Sequence, residues 1–501
     1  MKKSIWLRIA LLALAALMLV SCFVACKKPD DPNNPDNPDN PDNPDNPDDP
    51  DDPTDVDYLL TLPKKDWGDT FTWLLETGAE SAQVIKEEDA IETIDLAIYN
   101  RNTRVEEYLG CTIDYVSTNG GWSQQANYAT YVRNSVTVSD YQFDALSVYG
   151  CLAAPLAVEG LFYNLLTLEN MDVRNEWWAQ GLVDCNIVYD GLYMITGDIA
   201  LSMWQSMYAL FFSKTLAENH GLTYLYQMVR DGDWTLENMM ECASLVSVDN
   251  GDDKWDENDT YGLLLNCHCL RSWVTNFDIP VTTRQDDGSY KMTMQSKRTE
   301  DIYADIYNYL YGGTYAFIDS RPGMDGSVEL ILPMFKEDRG LFLNTTLWRA
   351  NEMRDMETEY GILPMAKYDE DQEDYHTFVS DGSQMVAVPS TTEVPGFTGA
   401  VLEALGAEGK YSLVPTYYDV VLKGRSTKDD DSKEMIDRVR DAVTYEFGFT
   451  HMVSLGYPYS LFGDSLGRKS STSFAPLYEG RSSVFEENMK KIMEGYAKLT
   501  E

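Results

Sequence analysis

Residues 92–116 read ETIDLAIYNRNTRVEEYLGCTIDYV, and this run decides the fold class. Ile94, Ile98, Val105, Tyr108 and Leu109 fall near one face of a helix, and Gly110 is the residue type that ends one. The period then drops to two across Thr112-Ile113-Asp114-Tyr115-Val116, the alternation of a strand. Upstream, Thr70-Phe71-Thr72-Trp73-Leu74-Leu75 alternates in the same way. Downstream, the pattern predicts a helix over 123–136, a third strand over 143–148 and a short helix around 155–160. Strands alternating with helices argue for an α/β fold with a largely parallel sheet.

The chain has 501 residues, more than one typical domain, so two lobes are expected. Its formal net charge of −43 argues against nucleic acid and against an anionic membrane surface, because both need basic patches. Tyr (32) and Trp (11) are plentiful, enough to supply flat apolar faces for a partly polar ligand as well as core. Six of the eight cysteines are scattered from Cys111 to Cys269, unlike the dense framework of a small secreted domain. Cys267-His268-Cys269 has no matching second half and reads as buried thiols rather than a zinc site.

The N-terminus reads as a targeting segment. Lys2, Lys3 and Arg8 form a basic start, and 9–20 is an unbroken apolar run too short to cross a bilayer comfortably. Leu19-Val20-Ser21-Cys22 resembles a bacterial lipobox, which predicts a signal peptide over 1–21 and lipid on Cys22. Phe23-Val24-Ala25-Cys26 is the alternative, with cleavage after 25 and lipid on Cys26. Residues 22–56 are an Asp/Pro/Asn-rich linker in which Pro recurs from Pro29 to Pro53. Such a chain is extended at ~3.1 Å per residue, so the roughly 27 residues of the Pro-rich repeat span on the order of 80 Å. The expected role is a stalk that holds the folded part away from the membrane on its extracellular side.

The middle of the chain, 189–262, is expected to carry the crossover between lobes. It opens with an Asp190-Gly191 turn, passes through an aromatic Gly197-Asp198 segment, and continues as a helix-like run over 209–221. A second helix opens at Trp234-Thr235. The acidic loop after it offers Asp249, Asn250, Asp252, Asp256 and Asp259 as ligands of a structural Ca²⁺. The match is degenerate, because Val248 stands where the first carboxylate belongs and Asp253 replaces the turn glycine. Later elements are expected at 303–310, 327–335, 361–364, 384–389, 397–405 (stopped by Gly406), 430–447 and 483–499.

No motif points to catalysis. Gly463-Asp464-Ser465-Leu466 spells the start of an esterase block, but no His follows to act as base. No metalloprotease, nucleophile-elbow or phosphate-loop motif is present. No cofactor is required by this reading.

Several blocks, in order, resemble the extracellular solute-binding proteins of bacterial ABC importers, carbohydrate type. They are Asp144–Gly150 by position (DALSVYG), Asn175-Glu176-Trp177-Trp178 followed by Tyr189-Asp190-Gly191-Leu192-Tyr193, the 209–221 run, Gly232-Asp233-Trp234-Thr235, and Lys254-Trp255-Asp256-Glu257-Asn258-Asp259-Thr260-Tyr261-Gly262. Leu343-Asn344-Thr345-Thr346-Leu347-Trp348-Arg349 and Tyr360-Gly361-Ile362-Leu363-Pro364-Met365 follow. The resemblance spans about residues 70–495. It implies a two-lobed, periplasmic-binding-protein-like (type II) fold with a hinge. The first lobe would be 57–200 with 383–415, and the second 201–382 with 416–501. It also implies a monomer that captures a sugar or oligosaccharide, without turnover, and delivers it to permease subunits. A surface-anchored glycan-active enzyme and a non-transport adhesin or sensor are the alternatives. Ligand would sit between the lobes on Tyr149, Asp198, Trp204, Trp348 and Arg349, with Tyr417 and Trp122 as weaker additions.

Overall fold

In the computed structural model, residues 58–77, 92–120, 122–324, 326–418 and 430–500 are described. The expected leader, Cys22, Cys26 and the linker lie outside them, as does the side chain of Trp122. In chain order the strands are β1 (Thr70–Glu76), β2 (Thr112–Thr118), β3 (Ala145–Tyr149), β4 (Tyr208–Ser213), β5 (Tyr261–Asn266), β6 (Thr282–Arg284), β7 (Tyr290–Met292), β8 (Ala316–Asp319), β9 (Gly340–Thr346), β10 (Tyr360–Leu363), β11 (Thr377–Phe378), β12 (Gln384–Ala387) and β13 (Val443–Thr444). Two sheets carry the architecture: one in the order β12-β3-β1-β2, the other β10-β4-β9-β5-β8.

The first sheet grows from the stretch that decides the fold class. The helix Thr93–Leu109 ends where Gly110 turns left-handed (φ 57°), and β2 then runs parallel to β1 with Thr70 opposite Thr112. β3 adds in parallel on the other side, and the late strand β12 closes the sheet antiparallel to β3. This sheet is largely parallel, as the alternation of elements requires. The second sheet is mixed: β5 is parallel to β8 and β9, whereas β4 is antiparallel to β9 and β10.

Four expectations need correction. The helix expected over 430–447 ends at Asp441, and Val443-Thr444 is a strand. The run 209–221 is not one helix. Tyr208–Ser213 is a strand buried on both faces, and only Lys214–Asn219 is helical. Tyr-Ala-Leu-Phe-Phe-Ser has no polar face to alternate with, so its period carries no strand signal. The helix expected to stop at Gly406 runs on to Glu408, because that glycine packs against the Trp177 ring instead of capping. Residues 416–501 do not all join the second sheet. Met435, Phe462, Leu466, Phe474, Tyr478 and Phe485 enter the core beside Leu263 and Phe342. Phe447, Leu455, Met489, Ile492, Met493 and Tyr496 enter the first sheet's core with Leu74, Leu146, Val148 and Met385.

The chain passes between the sheets on paired segments. Ile195 bridges Val386 and Met207 bridges Val379, so the outgoing segment 195–207 lies beside the returning segment 379–386. Ser380 N–H donates to Ser206 O at 3.0 Å, and Gln384 N–H donates to Ser202 Oγ at 3.1 Å. Between these bridges the outgoing segment forms a single helical turn, Ser202–Gln205.

Candidate functional site

A cavity of about 360 Å³ opens at the sheet ends, beside the paired crossover. Tyr149 enters it from the end of β3, Asn266 from the end of β5, and Thr345 and Thr346 from the end of β9. Trp348 and Arg349 follow in the 3-10 turn Leu347–Met353. Ser202, Gln205, Ser206 and the Ser380-Asp381-Gly382 turn supply the floor. Residues at the carboxyl ends of parallel strands are where open α/β sheets place ligands.

Local folding explains how these side chains are held. Asn266 caps the helix Cys267–Asn276, accepting from Cys269 N–H at 3.1 Å and donating to Ser327 O at 3.0 Å. That cap puts His268 in the first helical turn, facing the cavity against Gly326. From the other sheet, the helix Gly150–Val158 begins directly after Tyr149. Two helix starts therefore border the cavity, and their amide ends favour ligand oxygens. Below the surface, Asn344 ties the two sides of the second sheet. It accepts from Trp273 Nε1 (3.0 Å) and donates to Ala209 O (3.1 Å).

The electrostatics are mild. Arg349 is half-buried and ion-paired with Glu352. Asp381 is the one carboxylate lining the cavity among the described residues, and burial pushes its carboxyl above the usual range, opposed by the nearby Arg271. The rest of the lining is hydroxyl, amide and aromatic, with Tyr149 and Trp348 half-buried and Tyr208 nearly closed off.

Of the residues proposed from sequence, Tyr149, Trp348 and Arg349 line this cavity. Asp198 and Trp204 do not. They line a second cavity, about 790 Å³, on the opposite face of the turn Ser202–Gln205. In that turn Ser202 and Gln205 point to the first cavity, while Met203 and Trp204 point to the second. Asp198 Oδ1 accepts from Trp204 Nε1 at 2.9 Å. Tyr417 is fully buried in the core with Phe211, Leu343 and Ile362 and reaches neither cavity. His268, Gln205, Asn266 and Asp381 were missed from sequence. Their segments meet only in the fold, and the Asn266 cap before Cys267-His268 was the one local signal available.

The acidic loop is a self-contained turn. Asp259 is buried, and its two oxygens accept from Asn250 N–H (2.8 Å) and Asp256 N–H (2.7 Å). Asp249 Oδ1 accepts from Gly251 and Asp253 amides, Asn250 Oδ1 from Asp252 N–H, Asp252 Oδ1 from Lys254 N–H, and Asp256 Oδ1 from Asn258 N–H. Most of these oxygens are turned onto the loop's own amides, while Asp249 Oδ2 is buried without a hydrogen-bond partner among the described residues. Among the described residues no group of three or more His, Cys, Asp or Glu side chains is arranged to hold a metal.

No protein-family model matches the chain, and no curated protein matches it. Solved structures do. The galacto-N-biose/lacto-N-biose I-binding protein of the ABC transporter from Bifidobacterium longum aligns with a TM-score of 0.56 at 13% identity, covering 84% of this chain and 97% of that one. An ABC substrate-binding protein from Listeria monocytogenes, in complex with cycloalternan, aligns at 0.51 and 12%, covering 86% and 99%. The GacH receptor of Streptomyces glaucescens, solved unliganded and with acarbose, aligns at 0.50 and 13%, covering 86% and 98%. This chain shares their fold. The two-lobed α/β architecture expected from the sequence is therefore the one observed.

Proposed function

We propose that this protein captures a neutral sugar or oligosaccharide in the cavity between the two sheets and delivers it to an ABC permease. The observation that carries the proposal is the lining of that cavity. A pyranose has an apolar C–H face and a rim of hydroxyls. It suits the Tyr149 and Trp348 rings together with Ser, Thr, Asn and Gln groups and little free charge. The solved proteins that share the fold, which bind lacto-N-biose, cycloalternan and acarbose, support the same reading.

Capture works by closure. Ligand contacts from β3 on one side and from β9 and the Trp348 turn on the other favour the closed arrangement, and the paired crossover is the hinge. The protein acts as a binder without turnover, as a monomer. Lipid on Cys22 (or Cys26) and the Pro-rich stalk hold it on the outer face of the cell membrane.

The test is a thermal-shift screen of the purified chain over mono- and oligosaccharides, with product analysis of each mixture. A binder raises Tm with the matching sugar by mass action and leaves it intact. Cleavage of the stabilising sugar would replace the proposal with the enzyme reading. No stabilisation by any sugar would end it.

A further inference from the structure

We propose that the cavity behind the crossover is a second ligand site, selective for a small organic cation and distinct from the sugar cavity. At about 790 Å³ it has room for a metabolite-sized molecule. Trp178, Trp204, Tyr418 and Tyr445 are in its wall. Aromatic faces of this kind attract ammonium groups through their ring quadrupoles.

Charge gives the sign. Four carboxylates line the cavity (Glu176, Asp198, Asp437 and Asp441), against two cations, Lys410 and Arg440. Both cations are committed. Lys410 Nζ lies 3.2 Å from Glu176, and Arg440 lies 3.2 Å from Asp437 and 2.8 Å from Asp441. Asp198 stands apart. Its side chain belongs to a residue only 7% exposed, one oxygen holds Trp204 Nε1, and among the described residues no cation is ion-paired to it. Lys410 and Arg440 act on Asp198 through space while each is paired to another carboxylate, so a cationic ligand seated on the aromatic wall would give this buried carboxylate a direct partner. An anion would meet the excess of carboxylates, and a neutral ligand would give Asp198 no direct ion pair.

The site does not depend on the sugar reading, because it lies on the other face of the turn Ser202–Gln205. The test is isothermal titration of the full chain with choline and with benzyltrimethylammonium. 3,3-Dimethylbutan-1-ol serves as the uncharged isostere of choline. Saturable binding of at least one cation is expected, with choline or its aryl relative at least tenfold tighter than the alcohol. Asp198→Asn keeps an acceptor for Trp204 and should weaken cation binding at least tenfold. Ala179→Trp puts an indole into the cavity lining and should abolish binding. Both variants should keep the wild-type circular dichroism spectrum, and Trp348→Ala should retain cation binding. Affinity should also fall about tenfold from pH 8 to pH 5, since burial holds the Asp198 carboxyl near 6. Lys410 and Arg440 pull that value down and Glu176 pushes it up, while Asp437 and Asp441 share the lining. Absence of saturable binding by both cations overturns the proposal. So does equal binding of the alcohol, or binding that survives Asp198→Asn and is lost in Trp348→Ala.

Discussion

Trp348 is half-buried at the start of its turn and lines the cavity, between Leu347 and Ala350, which are buried in the core. Removing such a ring takes away a stacking platform without opening the core. Trp348→Ala should therefore weaken sugar binding by about 30-fold or more, the loss typical of an aromatic anchor. Stability in denaturant should stay within about 1 kcal/mol of wild type. Titration of the stabilising sugar checks the first outcome and urea unfolding the second. Glu403 makes a different prediction. It is buried, accepts from Trp178 Nε1 at 3.0 Å and from Asn175, and burial raises its carboxyl to about 7. The fold therefore prefers the protonated acid. Its contribution is full below the ordinary value of 4.5 and is lost as pH rises through 7. Between pH 4.5 and pH 8 the loss is on the order of 3 kcal/mol. Glu403→Gln should flatten that part of the stability profile, and urea unfolding of wild type and variant across the range reads the difference. At this scale the sequence was legible where a side chain acts through its own neighbours. Trp348 was found because its block resembles a family's. Glu403 and His268 were not, because burial and the cavity wall are made by segments far apart in the chain.

Elements differ in how openly they announce themselves. β2 lies at a sheet edge with one polar face, so Thr-Ile-Asp-Tyr-Val alternates and reads as a strand. β4 and β5 are covered on both faces, and neither Tyr-Ala-Leu-Phe-Phe-Ser nor Tyr-Gly-Leu-Leu-Leu-Asn keeps a period of two. The outgoing segment 195–207 includes a helical turn, Ser202–Gln205, in which successive side chains are set about 100° apart. Trp204 therefore faces away from the cavity that Gln205 lines. Gly110 tests the element that decided the fold class. Its φ of 57° is a left-handed cap, and a Cβ there would press on the Asp66 side chain. Gly110→Ala should cost about 1–2 kcal/mol in urea unfolding, because both the conformation and the space are denied to alanine. A change below a few tenths would mean that the cap does not set the register of β2.

On the scale of the molecule, the last helix is the element that ties the two cores together. In Ser482–Ala497, Phe485 is buried with the second sheet's core, while Met489, Ile492, Met493 and Tyr496 are buried with the first. Tyr496 also stacks near Tyr193 and hydrogen-bonds His451 Nε2 at 2.9 Å. A sequence of two lobes suggests two unfolding steps, but Leu59–Glu501 is one compact unit. A helix shared by both cores couples their melting, since losing it from one strips apolar cover from the other. Calorimetry of the unliganded chain should show one transition with equal calorimetric and van't Hoff enthalpies. Ile492→Ala removes a side chain only 3% exposed and should lower stability by about 2–5 kcal/mol. The coupling adds a sharper expectation. If the helix holds both cores, Ile492→Ala should shift that single transition as a whole. If the two sheets melt independently, the same substitution should split it and leave the second sheet's core at its original Tm. The second pattern would rule the coupling out.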